Sequence, residues 1–200
     1  MLIAGPLLVG LALSLVRGGA LRHAAGVALR GAGLLLLSLA IQIALYLPVV
    51  RTAPLTLRWG GLIYVAALGL MVGAALTNWR LGWGARLAAL GLALNLAVIA
   101  ANGGYMPENV AALRQARGQA EVGDIASARR YHNTRLATPE TPLAPLGDTL
   151  VLGPPGQAAV YSPGDVLLAL GVGVLCYSLT RPPAGWTIRT RRSPDAPPAP

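Results

Sequence analysis

Long apolar blocks without charged residues at their centres divide this chain. A helix needs about 20 mostly apolar residues to cross a bilayer. Charged residues make up 12% of the 200 residues, about half the share found in ordinary soluble domains, and the mean hydropathy is +0.58. We therefore predict an all-α membrane protein with about five transmembrane helices. The apolar blocks are Leu2–Val16, Gly31–Val50, Gly60–Thr77, Gly84–Ala101 and Pro163–Thr180.

The arginines predict the direction of threading. No arginine precedes the first block and three follow it, which favours a retained span over a cleaved signal peptide. Alternation then puts most arginines of the short connections on the cytoplasmic side, as the positive-inside rule requires. We expect a cytoplasmic-membrane protein with its N-terminus outside and its C-terminus in the cytoplasm. The expected regions are a four-helix region at 1–101, an extracytoplasmic segment at 102–162, a fifth helix at 163–180 and a disordered Pro-rich tail at 181–200.

The stretch "VIAANGGYMPEN" (Val98–Asn109) ends the fourth apolar block abruptly. Gly103 or Gly104 is suited to the left-handed conformation that closes a helix. Pro107 favours the first turn of a new helix, which Gly118 would end. The sequence therefore predicts two helices joined by a tight turn on the outer surface.

The segment before the fifth block contains an apolar run, Leu143–Leu152, that is too short to cross a membrane. Such runs are often re-entrant or interfacial. Ser162 and Asp165 have the spacing of a capping box, so Asp165 is expected to cap the fifth helix. Asp148 is expected to cap a short apolar helix in the same way. The functional alternative is that the two carboxylates lie near one surface pocket.

Polar residues inside the blocks are amides and hydroxyls. Asn95 and Asn102 lie two turns apart on one helix face, which indicates either interhelical hydrogen bonds or a polar track toward the outer surface. Gly69 and Gly73 form a GxxxG motif, which predicts packing against another helix. Arg135 is expected to meet Asn102. It is also expected either to hold an anionic headgroup or to be solvated or paired with Glu121, Asp124 or Glu140.

Several motifs together resemble the uncharacterised bacterial integral-membrane family catalogued as domain of unknown function family 5317. They are "RGG" (Arg17–Gly19), "LNLAVIAANGGYMP" (Leu94–Pro107), "TRLATPETPLAPLGD" (Thr134–Asp148) and "YSPGDVLLALGV" (Tyr161–Val172). The resemblance covers nearly the whole chain except the tail, and it implies a bacterial cytoplasmic membrane without implying an activity. Its signature positions would be Asn95, Asn102, Gly103, Gly104, Met106, Pro107, Thr134, Arg135, Leu136, Asp148, Ser162, Gly164 and Asp165. The candidate binding residues are Asn95, Asn102, Gly103, Gly104, Met106, Arg135, Asp148, Ser162 and Asp165.

These observations favour an accessory or scaffold protein whose extracytoplasmic segment binds a partner, a lipid or a small solute. The alternative is a small oligomeric transporter or channel. A membrane-embedded enzyme would have to combine Ser127 or Ser162 with His132 and a carboxylate, and nothing in the sequence sets that geometry. We expect no nucleic acid, because the net charge of +9 reflects loop arginines. We expect no metal, because His23 and His132 would fall on opposite sides of the membrane and a zinc site needs about three or four clustered ligands. No cofactor is expected. The expected partners are the lipid bilayer and another membrane protein or a second copy of this chain.

Overall fold

The structure is a computed structural model that describes residues 2–118, 122–123, 133–154 and 158–181. The fold is mostly helical, with 68% helix and a few short strands. The helices are α1 (Ala4–Val16), α2 (Leu21–Ala25), α3 (Ala32–Tyr46), α4 (Pro48–Arg51), α5 (Pro54–Thr77), α6 (Trp83–Ala101), α7 (Val110–Arg117) and α8 (Pro163–Leu179). The strands are β1 (Met106–Glu108), β2 (Thr134–Leu136), β3 (Leu150–Leu152) and β4 (Ala159–Tyr161), and short 3-10 turns cover Trp79–Leu81 and Ala144–Leu146. The expected disordered tail, apart from Arg181, lies outside the described residues.

Each apolar block of the sequence contains a long helix, and within the described part of the chain two helices, α5 and α6, are long and apolar enough to cross a membrane. Helices α1, α3 and α8 are apolar and shorter. Prolines explain the shifted ends. Leu47 is extended before Pro48, which ends α3 at Tyr46, and Pro54 begins α5 earlier than expected. Two helices of this length and composition give weak support for a membrane protein, and five crossings stay a prediction.

The five long helices pack side by side in the order α3, α5, α6, α8, α1. Neighbouring long helices that follow one another in the chain run antiparallel. In the pair α3 and α5, for example, the Ser38 hydroxyl of α3 donates to the carbonyl of Ala67, while the Arg30 amide before α3 donates to the Asn78 side chain after α5. In contrast, α1 and α8 are parallel, because Gly10 packs on Gly173 and the Ala20 amide donates to Thr180. We call the end where α1, α5 and α8 begin the cap end, and the opposite end the arginine end.

Small residues bring α6 and α8 close together. A Cβ added at Gly91 would collide with the carbonyl oxygen of Gly164, and one added at Gly171 would collide with the backbone of Ala88. The GxxxG motif behaves differently, since a Cβ added at Gly69 or Gly73 would have nothing within 4 Å. The prediction that this motif packs helices together within the described chain is therefore wrong.

A small cap of strands and one helix covers the cap end. Strand β1 pairs in parallel with β2 on one side, and on the other side Pro107 and Asn109 exchange backbone hydrogen bonds with Asp148 at 2.8 and 2.9 Å. Pro107 therefore lies in a strand, and the prediction that it begins a helix is wrong. Helix α7 begins three positions later, capped by the Asn109 side chain, and ends at Gly118 as expected.

The run Leu143–Leu152 contains a 3-10 turn followed by β3, which pairs with β4 in an antiparallel hairpin. The prediction that Asp148 caps a short apolar helix is wrong, because the backbone at Asp148 lies beside β1 and the apolar run after it is extended. Helix α7 packs against the hairpin through fully buried Leu113, which contacts the same cluster as Val160.

Candidate functional site

The Asn-Gly-Gly turn joins α6 to β1. Gly103 has φ +65°, its amide donates to Ala100, and the Gly104 amide donates to Ile99 at 2.8 Å. These two bonds form a Schellman motif, which confirms the predicted glycine closure. Gly104, at φ +93°, lies directly on the backbone of Gly61 in α5, where no side chain would fit. The turn therefore fixes the direction of the chain as it enters the cap.

Asn102 and Met106 hold this turn in place. The Asn102 amide donates to the carbonyl of Val98 at 2.8 Å and to that of Pro142 at 2.9 Å, which ties the turn to the segment before β3. Met106 is buried in the core with Tyr64 and Ile99. Asn102, Gly103, Gly104 and Met106 thus have structural contacts that account for them.

Asn95, Ser162 and Asp165 meet at the cap end, between α6 and α8. The Asn95 amide donates to Asp165 Oδ1 at 2.7 Å, and the Ser162 hydroxyl donates to Asn95 Oδ1 at 2.8 Å. The predicted capping box is confirmed: Ser162 Oγ accepts from the Asp165 amide at 2.9 Å, and Asp165 Oδ2 accepts from the Ser162 amide at 3.2 Å. Asn95 and Ser162 are both buried. Of the two interpretations of Asn95, the interhelical hydrogen bond is the one observed.

A second pair of carboxylates lies in the cap beside this network. Asp148 and Glu108 are bridged neighbours across the β1 edge, and Glu108 is only 5% exposed. Burial raises the pKa of Asp148 to about 8, and the negative charges of Asp165 and Glu108 contribute, while Arg117 lowers it in part. The carboxyl of Asp148 is therefore mostly protonated at neutral pH.

Three residues of this region were not among the candidates from the sequence: Glu108, Tyr64 and Asn133. The Asn133 amide donates to the Tyr64 hydroxyl at 3.3 Å, and Tyr64 is buried in the core beside Met106. Glu108 had a sequence signal, since it is the acid that follows the Asn-Gly-Gly motif. Nothing in the sequence distinguished Tyr64 from an interfacial aromatic residue.

Asp165 also lines a small cavity at the cap end. The cavity has a volume of about 250 Å³, and its other lining residues are Leu2, Ile3, Ala4 and Tyr161. Unlike Asn95 and Ser162, Asp165 is partly exposed. The cavity therefore offers one fixed carboxylate in mainly apolar surroundings.

With this geometry in view, comparison with known proteins identifies the family. The profile described as Family of unknown function (DUF5317) matches residues 26–177, which is more than half of the chain. The chain belongs to this family. The DUF5317 match includes the Asn-Gly-Gly turn, Asp148 and the capping box of α8, and it begins after the Arg17–Gly19 motif. No curated protein and no solved structure matches the chain.

Arg135 lies in β2 of this DUF5317 protein, where it contacts Tyr105. Its guanidinium carbon lies 3.5 Å from the centroid of the Tyr105 ring, a cation–π contact. The Asn102 amide donates to the carbonyl of Pro142. The meeting of Asn102 and Arg135 stays a prediction.

The remaining candidate groups are those that the sequence offered for a metal site or a catalytic site. Among the residues that the structure describes, no group of three or more His, Cys, Asp or Glu side chains could hold a metal ion. His23 lies at the arginine end, against Thr180 and far from the cap. Ser127 and His132 lie outside the described residues.

Proposed function

We propose that this DUF5317 protein is a five-span bacterial membrane protein that binds a small cationic solute at its cap end, as an accessory protein and not an enzyme. The observation that carries the proposal is the position of Asp165. Asn95 and Ser162 hold its carboxylate, which lines a cavity of about 250 Å³. A carboxylate accepts hydrogen bonds and carries negative charge, so a fitting solute has N–H donors and positive charge.

The acceptor capacity of Asp165 supports a binding role. One hydrogen bond from Asn95 and one from Ser162 reach its two oxygens, whereas an ionised carboxylate has about four lone-pair sites. Asp165 thus keeps acceptor sites for a bound ammonium or amine group. Asp148, mostly protonated at neutral pH, adds little negative charge of its own to compete for that group.

Helix direction supports the five-span threading. An odd number of crossings requires the first and last spans to run the same way, and α1 and α8 are parallel. The described loops at the arginine end carry Arg22, Arg30 and Arg80 without a carboxylate, which favours the cytoplasm for that end. The cap end would then face outward.

The threading is tested with single cysteines in a Cys176→Ser background. Glu140 is an exposed cap residue and Arg80 an exposed residue at the arginine end. We expect a membrane-impermeant maleimide to label Glu140→Cys on intact cells and to label Arg80→Cys only after lysis. The opposite pattern would invert the proposed threading.

Solute binding is tested by thermal unfolding of the purified protein in detergent, using methylammonium, ethanolamine and putrescine as probes and acetate as a neutral-pH anionic control. We expect an amine to stabilise the wild type and Ala4→Phe, which fills the cavity, to remove that effect. Ala12→Phe makes the same change at an exposed site of α1 and should respond like the wild type. Asp165→Asn should weaken amine binding about tenfold or more, because a charge-assisted contact is lost, whereas Glu140→Gln should not. Equal responses of the two Phe variants would refute the proposed site.

The open GxxxG face of α5 favours a second candidate, a small oligomeric transporter. Gly69 and Gly73 face open space in the described chain, and such motifs commonly bring membrane helices together. Bulky Gly69→Leu should then dissociate the oligomer and abolish amine flux into liposomes. A monomeric wild type without flux would eliminate this candidate and leave solute binding intact.

A further inference from the structure

An apolar groove runs along the bundle between α1 and α8. It has a volume of about 630 Å³ and is lined almost wholly by apolar atoms until it reaches Arg17 and Tyr177 at the arginine end. This groove shares no lining residue with the Asp165 cavity, which lies just before Gly5 at the cap end of the same two helices.

Glycines create the groove. Gly10 lies against the backbone of Gly173, so α1 and α8 touch there without a side chain between them. Gly5 lines the groove farther along α1, and a Cβ added at Gly5 would have nothing within 4 Å. The groove is therefore a preformed furrow, walled by residues such as Leu13 and Leu170.

The length of the groove matches one lipid chain. From Gly5 to Arg17 a helix rises ~18 Å, at about 1.5 Å per residue. Half of the hydrocarbon core of a bilayer is ~15 Å thick. One extended acyl chain would therefore fill the groove and bring its headgroup to Arg17.

The charges at the arginine end determine which headgroup fits. Arg17 donates from Nη1 to the Tyr177 hydroxyl at 2.8 Å, and the guanidinium of Arg181 lies 5.1 Å from the centroid of the same ring. A guanidinium has five N–H donors, so Arg17 keeps donors for a further partner. The carboxylates of the described residues, Glu108, Glu140, Asp148 and Asp165, all belong to the cap end. Among the described residues, no acidic side chain lies at the arginine end to neutralise Arg17 and Arg181.

We propose that the α1–α8 groove binds an anionic phospholipid, with one acyl chain along Gly5, Gly10 and Gly173 and the phosphate on Arg17 and Arg181. Basic side chains at the cytoplasmic ends of transmembrane helices attract anionic headgroups. The apolar furrow alone would accept any lipid, whereas its arginine end selects for negative charge.

Native mass spectrometry of the purified full chain tests this with two lipids of identical chains, phosphatidylglycerol and phosphatidylcholine. We expect the wild type to retain phosphatidylglycerol more strongly. Arg17→Gln should weaken that lipid roughly fivefold, the change expected for losing one basic side chain near an anionic headgroup. Arg80→Gln, the same change at another exposed arginine of this end, should have no effect.

Blocking the groove gives the second arm. Gly5→Leu should weaken both lipids, whereas Gly33→Leu should not, because Gly5 and Gly33 are each the second residue of their helices and each has open space around an added Cβ. Equal retention of the two lipids by the wild type would overturn the proposal, as would equal losses for Arg17→Gln and Arg80→Gln or no effect of Gly5→Leu. The wild-type comparison depends on no variant, so it decides the headgroup preference even if a variant fails to fold.

Discussion

Asn95 on α6 and Asp165 on α8 are joined by a hydrogen bond of 2.7 Å, although 70 positions separate them in sequence. The same Asn95 side chain accepts from the Ser162 hydroxyl through its oxygen. One buried amide thus connects the end of α6 to the capping box that begins α8. The contact joins the fold of the bundle to the carboxylate of the proposed solute site.

Replacing Asn95 with leucine should destabilise the protein. Asn95→Leu keeps a similar size but leaves the Ser162 hydroxyl and Asp165 without this partner, at a cost of about 1–3 kcal/mol. Thermal unfolding in detergent measures the loss. Gln42→Leu is the control, since Gln42 donates only to Ser38 within its own helix. A variant at Asn95 as stable as the one at Gln42 would contradict the assigned role.

The close contact between α6 and α8 predicts strong position dependence for alanine. Gly91→Ala would drive a methyl group into the Gly164 carbonyl, and overpacking of this kind costs about 1–3 kcal/mol. Gly69→Ala adds the same methyl group where nothing lies within 4 Å, and it should be neutral or slightly stabilising because alanine favours helix. Melting temperatures of the two variants check this. Equal losses would show that the α6–α8 contact is looser than described.

The two glycines of the Asn-Gly-Gly turn should respond differently to asparagine. Both have positive φ, which asparagine tolerates better than most residues. Gly103 has open space around an added Cβ, whereas Gly104 lies on the backbone of Gly61. We therefore expect Gly103→Asn to fold with a small loss and Gly104→Asn to lose most folded protein. Monodisperse yield on size exclusion measures both, and similar yields would contradict the contact with Gly61.

Asp148 should make stability depend on pH. Its pKa is raised from 3.8 to about 8, so the unfolded chain releases this proton at a lower pH than the folded chain. The free energy of unfolding should therefore fall as pH rises between these two values, by up to about 1.4 kcal/mol per pH unit, and level off above the higher one.

The Asp148→Asn variant isolates this effect. Asparagine cannot ionise, so the variant should gain stability relative to the wild type as pH rises from about 5 to about 8. Thermal unfolding across that range, with Glu140→Gln as the exposed-carboxylate control, measures the difference. A wild-type profile parallel to that of Asp148→Asn would mean that Asp148 is ionised in the folded state.

Local chemistry made part of this fold predictable. The glycine closure of α6 and the Ser162–Asp165 capping box depend on neighbouring residues alone, and both are present. The errors concern long-range partners. Pro107 lies in a strand because β2 comes from a later part of the chain, and Asp148 lies beside β1 instead of beginning a helix. No local pattern distinguishes these outcomes.

In the candidate site, too, local features could be predicted from the sequence and long-range partners could not. Asn95 and the Ser162–Asp165 pair were selected separately from the sequence, but their contact depends on α6 and α8 packing through glycines. Tyr64 and Asn133 were missed since their contact joins α5 to the segment before β2. Side chains that meet only after the helices assemble leave no periodic signal in a single sequence.

The contact of Asn95 with residues 67 and 70 positions later in the chain has a consequence for biosynthesis. The ribosome makes α6 before α8, so α6 must wait for this last helix before Asn95 finds Ser162 and Asp165. Until then, its amide remains without these partners in a half-assembled bundle. Chaperones would have to shield that intermediate, and a chain truncated before Ser162 should be degraded by quality-control proteases.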